Sequence, residues 1–286
     1  MQRQAVPCLP RRSPRHGVAA GLARELRPTR RTLTSPASRW RRSRLPRACP
    51  KRRAPERRHG GGATRAGGLI LFADRRDGGH TLAQLLLGLA AQRPLIAALP
   101  RGGVPVGFEV ARALGAPLDV LVVRKLGVPG NPELGVGAIA EGGGVVIDDA
   151  AAGRAGMSQD ALAEVVARER AELQRRVERY RGRRPPLDVT GRTVLVVDDG
   201  LATGLTAIAA VRALRAGAAE RVVVAVPVGA RDSVARVGGE ADAVVCATTP
   251  RRLLAVGYWY TDFAAVSDEE VLALLGRGDE LDSSHA

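Results

Sequence analysis

From residue 69 onward, short runs of β-branched and other apolar residues alternate with longer amphipathic stretches. That alternation predicts an α/β fold, a mainly parallel twisted sheet with helices on both faces. His80 to Gln92 reads as a first helix, with Leu82, Leu85, Leu86 and Leu89 on one face. Leu95 to Leu99 is a buried strand ending in Pro100-Arg101-Gly102-Gly103, followed by a helix over 104–114 and a second strand from Leu118 to Arg124. Gly127 to Glu141 is rich in Gly and Pro and long for a connection in a compact domain, so it reads as a functional loop. Val145 to Asp148 is a short strand, placed to form one arm of a hairpin around Gly142-Gly143-Gly144, and Ser158 caps a long charged helix to Arg181. Strands at Thr193 to Asp198, Arg221 to Pro227 and Ala243 to Cys246 then alternate with helices at Thr203 to Ala216 and Asp232 to Val237, and Ser267 opens a last helix to Leu275. In open sheets of this kind ligands sit beyond the carboxyl ends of the strands. The residues that follow each strand are therefore the candidates for chemistry.

Composition narrows the class. With 286 residues, 45% of them hydrophobic, the chain can bury a core, which excludes fibrous, collagen-like and wholly disordered proteins. No apolar run approaches the roughly 18 residues of a membrane span. The net charge of +15 is confined to one end. Residues 1–68 hold 19 of the 44 Lys and Arg but only two of the 29 acids, Glu25 and Glu56, which leaves 25 basic and 27 acidic residues for the remainder. Residues 1–68 are accordingly expected to be a disordered Arg-rich extension, and 69–286 the folded domain. The extension reads most simply as a translated stretch upstream of a start near Gly67 to Phe72. An arm for nucleic acid or another acidic surface, and an organellar address, are the other readings. Cys8 and Cys49 lie in the extension and Cys246 sits in an apolar run, so no disulfide framework or Cys metal site is predicted. Nothing resembles a secretory signal, which makes the cytoplasm the expected compartment.

The segment Val194-Leu195-Val196-Val197-Asp198-Asp199-Gly200-Leu201-Ala202-Thr203-Gly204-Leu205-Thr206 joins an apolar strand, two adjacent carboxylates, a turn of small residues and a helix start. Backbone amides at a turn entering a helix make an anion nest, to which Thr203 and Thr206 add hydroxyls. Gly204 leaves room for close approach of the backbone. Two carboxylates beside a phosphate make sense only if something between them needs acceptors, such as paired sugar hydroxyls or Mg²⁺. Arg101 with Gly102 and Gly103, after an earlier strand, suits a polyanion, and Gly102, Gly103 and Gly107 do not form the G-x-G-x-x-G pattern of dinucleotide sites. Lys125 is the only lysine after residue 51, in a chain that otherwise uses arginine, and a compact ammonium against pyrophosphate oxygens would explain it.

The strand, acidic pair and T-G-x-T turn resemble the fingerprint of the type I phosphoribosyltransferases, and the likeness runs from about Phe72 to Leu275. The resemblance implies transfer of a phosphoribosyl group from phosphoribosyl pyrophosphate (PRPP) to a nucleobase-like acceptor, Mg²⁺ as cofactor, nucleotide salvage, and a homodimer. It implies that Asp198 and Asp199 meet the ribose hydroxyls and the metal, that Ala202, Thr203, Gly204, Leu205 and Thr206 hold the 5′-phosphate, and that Arg101, Gly102, Gly103 and Lys125 hold pyrophosphate. Gly127 to Glu141 becomes the mobile lid. Ala202 stands where 6-oxopurine enzymes carry a third acid, so the turn is more similar to adenine-type enzymes. Glu133, and after it Glu141, are then the acids expected to handle the acceptor's proton. Val256-Gly257-Tyr258-Trp259-Tyr260-Thr261-Asp262-Phe263 resembles the family's base-stacking segment, with Tyr258 or Trp259 against the ring or, equally, a hydrophobic plug on the core. Purine and pyrimidine both remain open. Two other functions fit the residues: a PRPP-sensing regulator that binds nucleic acid through its basic arm, and a hydrolase or phosphatase built on the acidic pair.

Overall fold

The computed structural model describes residues 64–66, 69–182 and 184–283. It opens with a small antiparallel ladder, Thr64–Ala66 (β1) on Leu69–Leu71 (β2); the rest of the expected extension lies outside the described residues. Arg75–Leu86 (α1) follows, continued by a 3-10 turn over Leu87–Gln92. This helix starts five residues before the predicted His80. Asp74 accepts the Asp77 amide at 2.8 Å while Asp77 accepts the Ala73 amide at 3.0 Å, a reciprocal cap. Gly78 and Gly79 hide the start from a propensity reading, yet Gly79 is there for space: a Cβ on it would lie 2.9 Å from the Val106 carbonyl oxygen of the next helix.

Leu95–Ala98 (β3), Gly103–Leu114 (α2) and Leu118–Val120 (β4) form the first parallel unit. The predicted strand Leu118 to Arg124 is two strands, because after Val120 the chain leaves the main sheet. Val123–Val128 (β5) and Asn131–Ala140 (β6) pair antiparallel, and Val145–Ile147 (β7) adds to β6. The expected loop 127–141 is thus largely a β-ribbon. Gly137 is there for close packing, since a Cβ on it would fall 2.4 Å from the Val146 carbonyl oxygen, whereas Gly130 and Gly135 face open space.

Asp149–Arg154 (α3) and Gln159–Arg181 (α4) come next, the latter capped by Ser158 as predicted. Thr193–Val197 (β8), Leu205–Ala216 (α5), Arg221–Val228 (β9), Arg231–Gly238 (α6), Ala243–Thr248 (β10) and Asp268–Ser283 (α7) complete the chain. Cys246 is part-buried on β10, its thiol 3.1 Å from the Thr248 carbonyl oxygen and pushed up to about 11 by burial. Among the described residues no helix is long and apolar enough to cross a membrane.

The main sheet runs β10-β9-β8-β3-β4, all parallel. Alternation along each strand separates two cores. Ile96, Ala98, Leu195, Val197, Val223 and Ala225 share one with Leu82, Leu86, Val104 and Phe108 of α1 and α2. Leu95, Ala97, Val194, Val196, Val222 and Val224 share the other with Ile208, Val211 and Leu214 of α5. From the paired strands β3 and β8 the chain winds outward in opposite directions, to β4 on one side and to β9 and β10 on the other. Such a seam leaves a crevice at its carboxyl end.

Candidate active site

Two loops flank that crevice: Leu99 to Gly102 after β3, and Asp198 to Gly204 after β8. The second is pinned from below. Leu201 donates its amide to the Val228 carbonyl and accepts from Ala230, both at 2.9 Å, and the Ser233 hydroxyl donates to the Ala202 carbonyl at 2.6 Å. The carbonyl side is thereby consumed, while Ala202 and Thr203 stay exposed. Among the described residues no acceptor takes the amides of Ala202, Thr203 or Gly204. This is the open donor set that an anion nest requires.

Gly204 is needed for its backbone. At φ +79° it is left-handed, and a Cβ would meet the buried Val237 at 2.9 Å. Gly204→Ala is expected to cost about 1–2 kcal/mol, measurable by denaturant unfolding, and to weaken phosphate binding by turning the amides away. Unchanged stability would show that the turn tolerates an ordinary backbone.

The acidic pair stands above β8. Arg75 donates Nε to Asp199 Oδ2 at 2.9 Å and Nη1 to the Ala264 carbonyl at 2.7 Å, and its guanidinium lies 3.8 Å from the Phe263 ring centroid. Tyr260 donates its hydroxyl to the Asp199 carbonyl at 2.7 Å. Asp198 accepts the Asp199 amide at 2.9 Å. Burial, then the neighbouring Asp199, holds the Asp198 carboxyl well above the usual carboxylate range, against the pull of Lys125 and Arg75. Burial raises Asp199 too, opposed first by its bond to Arg75.

Gly102 and Gly103 back this pair. A Cβ on Gly102 would sit 2.0 Å from Asp199 Oδ2, and one on Gly103 2.5 Å from the Val197 carbonyl oxygen. The Gly103 amide is spent on the Leu99 carbonyl at 3.0 Å, so Gly103 supplies clearance and no free donor. The Pro100–Arg101 peptide is cis. The Arg101 side chain turns toward α7, 3.8 Å from Asp268, which also accepts from Tyr180 at 2.5 Å.

A cleft of about 950 Å³ opens over the seam. Lys125, Asp198, Asp199, Ala202, Thr203, Gly204 and Thr206 line it, with Leu254 to Gly257 and Phe263 on the carboxyl-terminal side and residues of α4 on another. Arg101, Gly102, Gly103 and Leu205 do not, and Leu205 is buried. Trp259 is buried with Phe72, Val228 and Tyr260, the plug arrangement, while Tyr258 is 74% exposed outside the lining. Phe263 is the aromatic side chain on the cleft.

Lys125 is carried in by the ribbon, paired with Ala138 across the strands. Glu133 lies on β6, its side chain outside the described residues. Glu141, the second candidate for proton handling, is engaged elsewhere: Arg181 grips it at 2.9 Å and also bonds Asp119 at 3.2 Å. Arg75 was missed altogether. The Asp74-x-x-Asp77 cap that positions it was the available signal.

An open parallel sheet with an anion turn and an acidic pair at its switch point is an arrangement suited to a sugar phosphate. The family described as Phosphoribosyl transferase domain matches residues 75–250. The chain belongs to that family, a family of transferases. A Mycobacterium tuberculosis protein named as a phosphoribosyl transferase, recorded from strains CDC 1551 and H37Rv, is 51% identical over 207 residues, 72% of this chain and 47% of that protein. The chain thus spans about half the length of the curated relatives it matches. The crystal structure of TT1426 from Thermus thermophilus is similar with a TM-score of 0.61 and 46% identity, covering 72% of this chain and 98% of the other.

Proposed function

We propose that the chain transfers the 5-phosphoribosyl group of PRPP to a nucleobase-like acceptor and releases pyrophosphate. The observation that carries this reading is one cleft holding the unspent amides of Ala202 to Gly204, the Asp198–Asp199 pair and Lys125. The 5′-phosphate takes the turn, with Thr203 and Thr206 as hydroxyl donors. The carboxylates accept from the ribose hydroxyls. As the bond from the anomeric carbon to pyrophosphate breaks, the leaving oxygens gain charge and Lys125 stabilises them; Arg101 joins by turning from Asp268. The acceptor nitrogen forms the new bond, and its proton passes to Glu133 on the ribbon. The edge of Phe263, whose faces are taken by Tyr260 and Arg75, borders the ring, with Tyr258 at the rim.

The donor set also fits Mg²⁺. Among the described residues no group of three or more His, Cys, Asp or Glu gathers into a metal cage, and one oxygen of Asp199 is committed to Arg75. Asp198 and Asp199 would hold the ion through their carboxylates. When bound, Mg²⁺ supplies charge neutralisation on the pyrophosphate. Homodimerisation, residence in the cytoplasm and a part in nucleotide salvage belong to the same proposal, resting on family likeness.

Incubation of the purified chain with labelled PRPP, Mg²⁺ and a panel of bases should form nucleotide and pyrophosphate in equal amounts. Breakdown of PRPP without any base would favour the hydrolase reading. PRPP binding without turnover, together with salt-dependent RNA binding lost on deleting residues 1–68, would favour the regulator.

A further inference from the structure

Helix α4 brings a second set of charges to the cleft that the donor does not account for. Arg168, Glu169 and Arg176 line it together with Arg124 of β5. Lys125 and Arg124 are neighbours on one strand and so point to opposite faces. The leading cations acting on the acidic pair are Arg75 and Lys125, whereas Arg124 turns to α4.

There the charges do not cancel. Glu169 Oε2 accepts Nε and Nη2 of Arg124 at 3.1 and 2.7 Å, which neutralises the carboxylate. Arg168 reaches the other oxygen of Glu169 through Nε alone, at 3.4 Å, and its side chain is 60% exposed. Arg176 likewise spends only Nε, on Glu172 at 2.9 Å, and Glu172 is shared with Arg175. Among the described residues the terminal amino groups of Arg168 have no acceptor, and these form the fork that grips a carboxylate bidentately. Arg176 stands about 12 Å further along the helix axis, too far to share a small ring's substituent with Arg168. The carboxyl-terminal wall is apolar, with Leu254 84% and Phe263 36% exposed.

We infer that the acceptor is a planar ring bearing an anionic substituent, packed against Leu254 and the edge of Phe263, with its carboxylate or other oxyanion on Arg168. This rests on the phosphoribosyl-transfer reading and adds the substrate class. A neutral ring forgoes this charge-assisted bidentate contact, so the site favours the anionic acceptor.

The test compares matched acceptors with the full chain, PRPP and Mg²⁺: pyridine-3-carboxylate against pyridine-3-carboxamide, and 2,4-dioxopyrimidine with and without a 6-carboxylate. In at least one pair the carboxylated member should have the higher kcat/KM, by tenfold or more. Arg168→Gln should remove that preference by raising KM for the carboxylated member, leave the neutral member and PRPP affinity unchanged, and be partly rescued by Arg168→Lys. Equal or better use of the neutral members in both pairs overturns the inference, as does an Arg168→Gln enzyme slowed alike on both members. PRPP bound with none of the four acceptors used overturns it too. Failure to bind PRPP by calorimetry would instead bring down the phosphoribosyl-transfer reading itself.

Discussion

Asp198→Asn is expected to make the free protein more stable at neutral pH while crippling donor binding. The folded-state pKa of Asp198 lies above its ordinary 3.8, because burial and then Asp199 disfavour the charged form. A raised acid binds more protons folded than unfolded, so the free protein loses stability as pH rises through the folded value. Asparagine keeps the shape and an oxygen for the Asp199 amide but carries no charge. In thermal melts with a chelator present, the gain should be seen at pH 8, at roughly 2–4 °C per kcal/mol relieved. It should vanish below pH 3.8, where the carboxyl is neutral in both states. PRPP affinity should fall about 10- to 100-fold, the worth of a hydrogen bond to a charged acceptor. Asp199→Asn should lose affinity similarly without the stability gain, since it strips the mostly buried Arg75 of its partner. If Asp198→Asn melts lower than the parent at pH 8, the pair is structural and is not charge held in reserve for a ligand.

The features legible in the sequence were those written locally. Asp198 to Thr206 is contiguous, and its strand, turn and helix start fall where the apolar run and the small residues place them. What escaped was long-range or disguised. Arg75 meets Asp199 across 124 positions, a pairing no local pattern can signal, and the glycines after it masked the helix that carries it. The 127–141 segment was mistaken for a loop because glycine lowers strand propensity, although Gly137 is required by the backbone of β7. The aromatic segment at 256–263 was recognised, but only packing could sort it. Trp259 goes inward with Phe72, and Phe263, between Tyr260 at 5.1 Å and the Arg75 guanidinium, stays at the cleft. Gly102 was marked for pyrophosphate, and packing adds a steric role that no local pattern signals: its missing Cβ makes room for the Asp199 carboxylate.

The largest stability effect is expected at Arg181, 6% exposed at the end of α4. Its guanidinium bonds Asp119, Glu141, the Val120 carbonyl and the Pro185 carbonyl, joining α4 to the end of β4 and to the base of the ribbon that delivers Lys125. Burial raises both carboxyls, and Arg181 is the foremost influence pulling each back down. Arg181→Met would leave two mostly buried carboxylates without this cation, a change that costs about 3–5 kcal/mol for a fully buried pair and sets the upper bound here. The sign of its pH dependence follows. With folded values raised further, stability is retained below the unfolded carboxylate range and lost as pH rises through the folded values. Guanidinium unfolding at pH 5 and pH 8 should therefore show a deficit that widens at the higher pH. Adding Asp119→Asn and Glu141→Gln to Arg181→Met should recover much of it by removing the stranded charges. A deficit equal at both pH values and unmoved by those two changes would mean that Arg181 stabilises by packing alone, leaving the ribbon's base to be held by the Glu141 amide on the Val122 carbonyl at 2.8 Å.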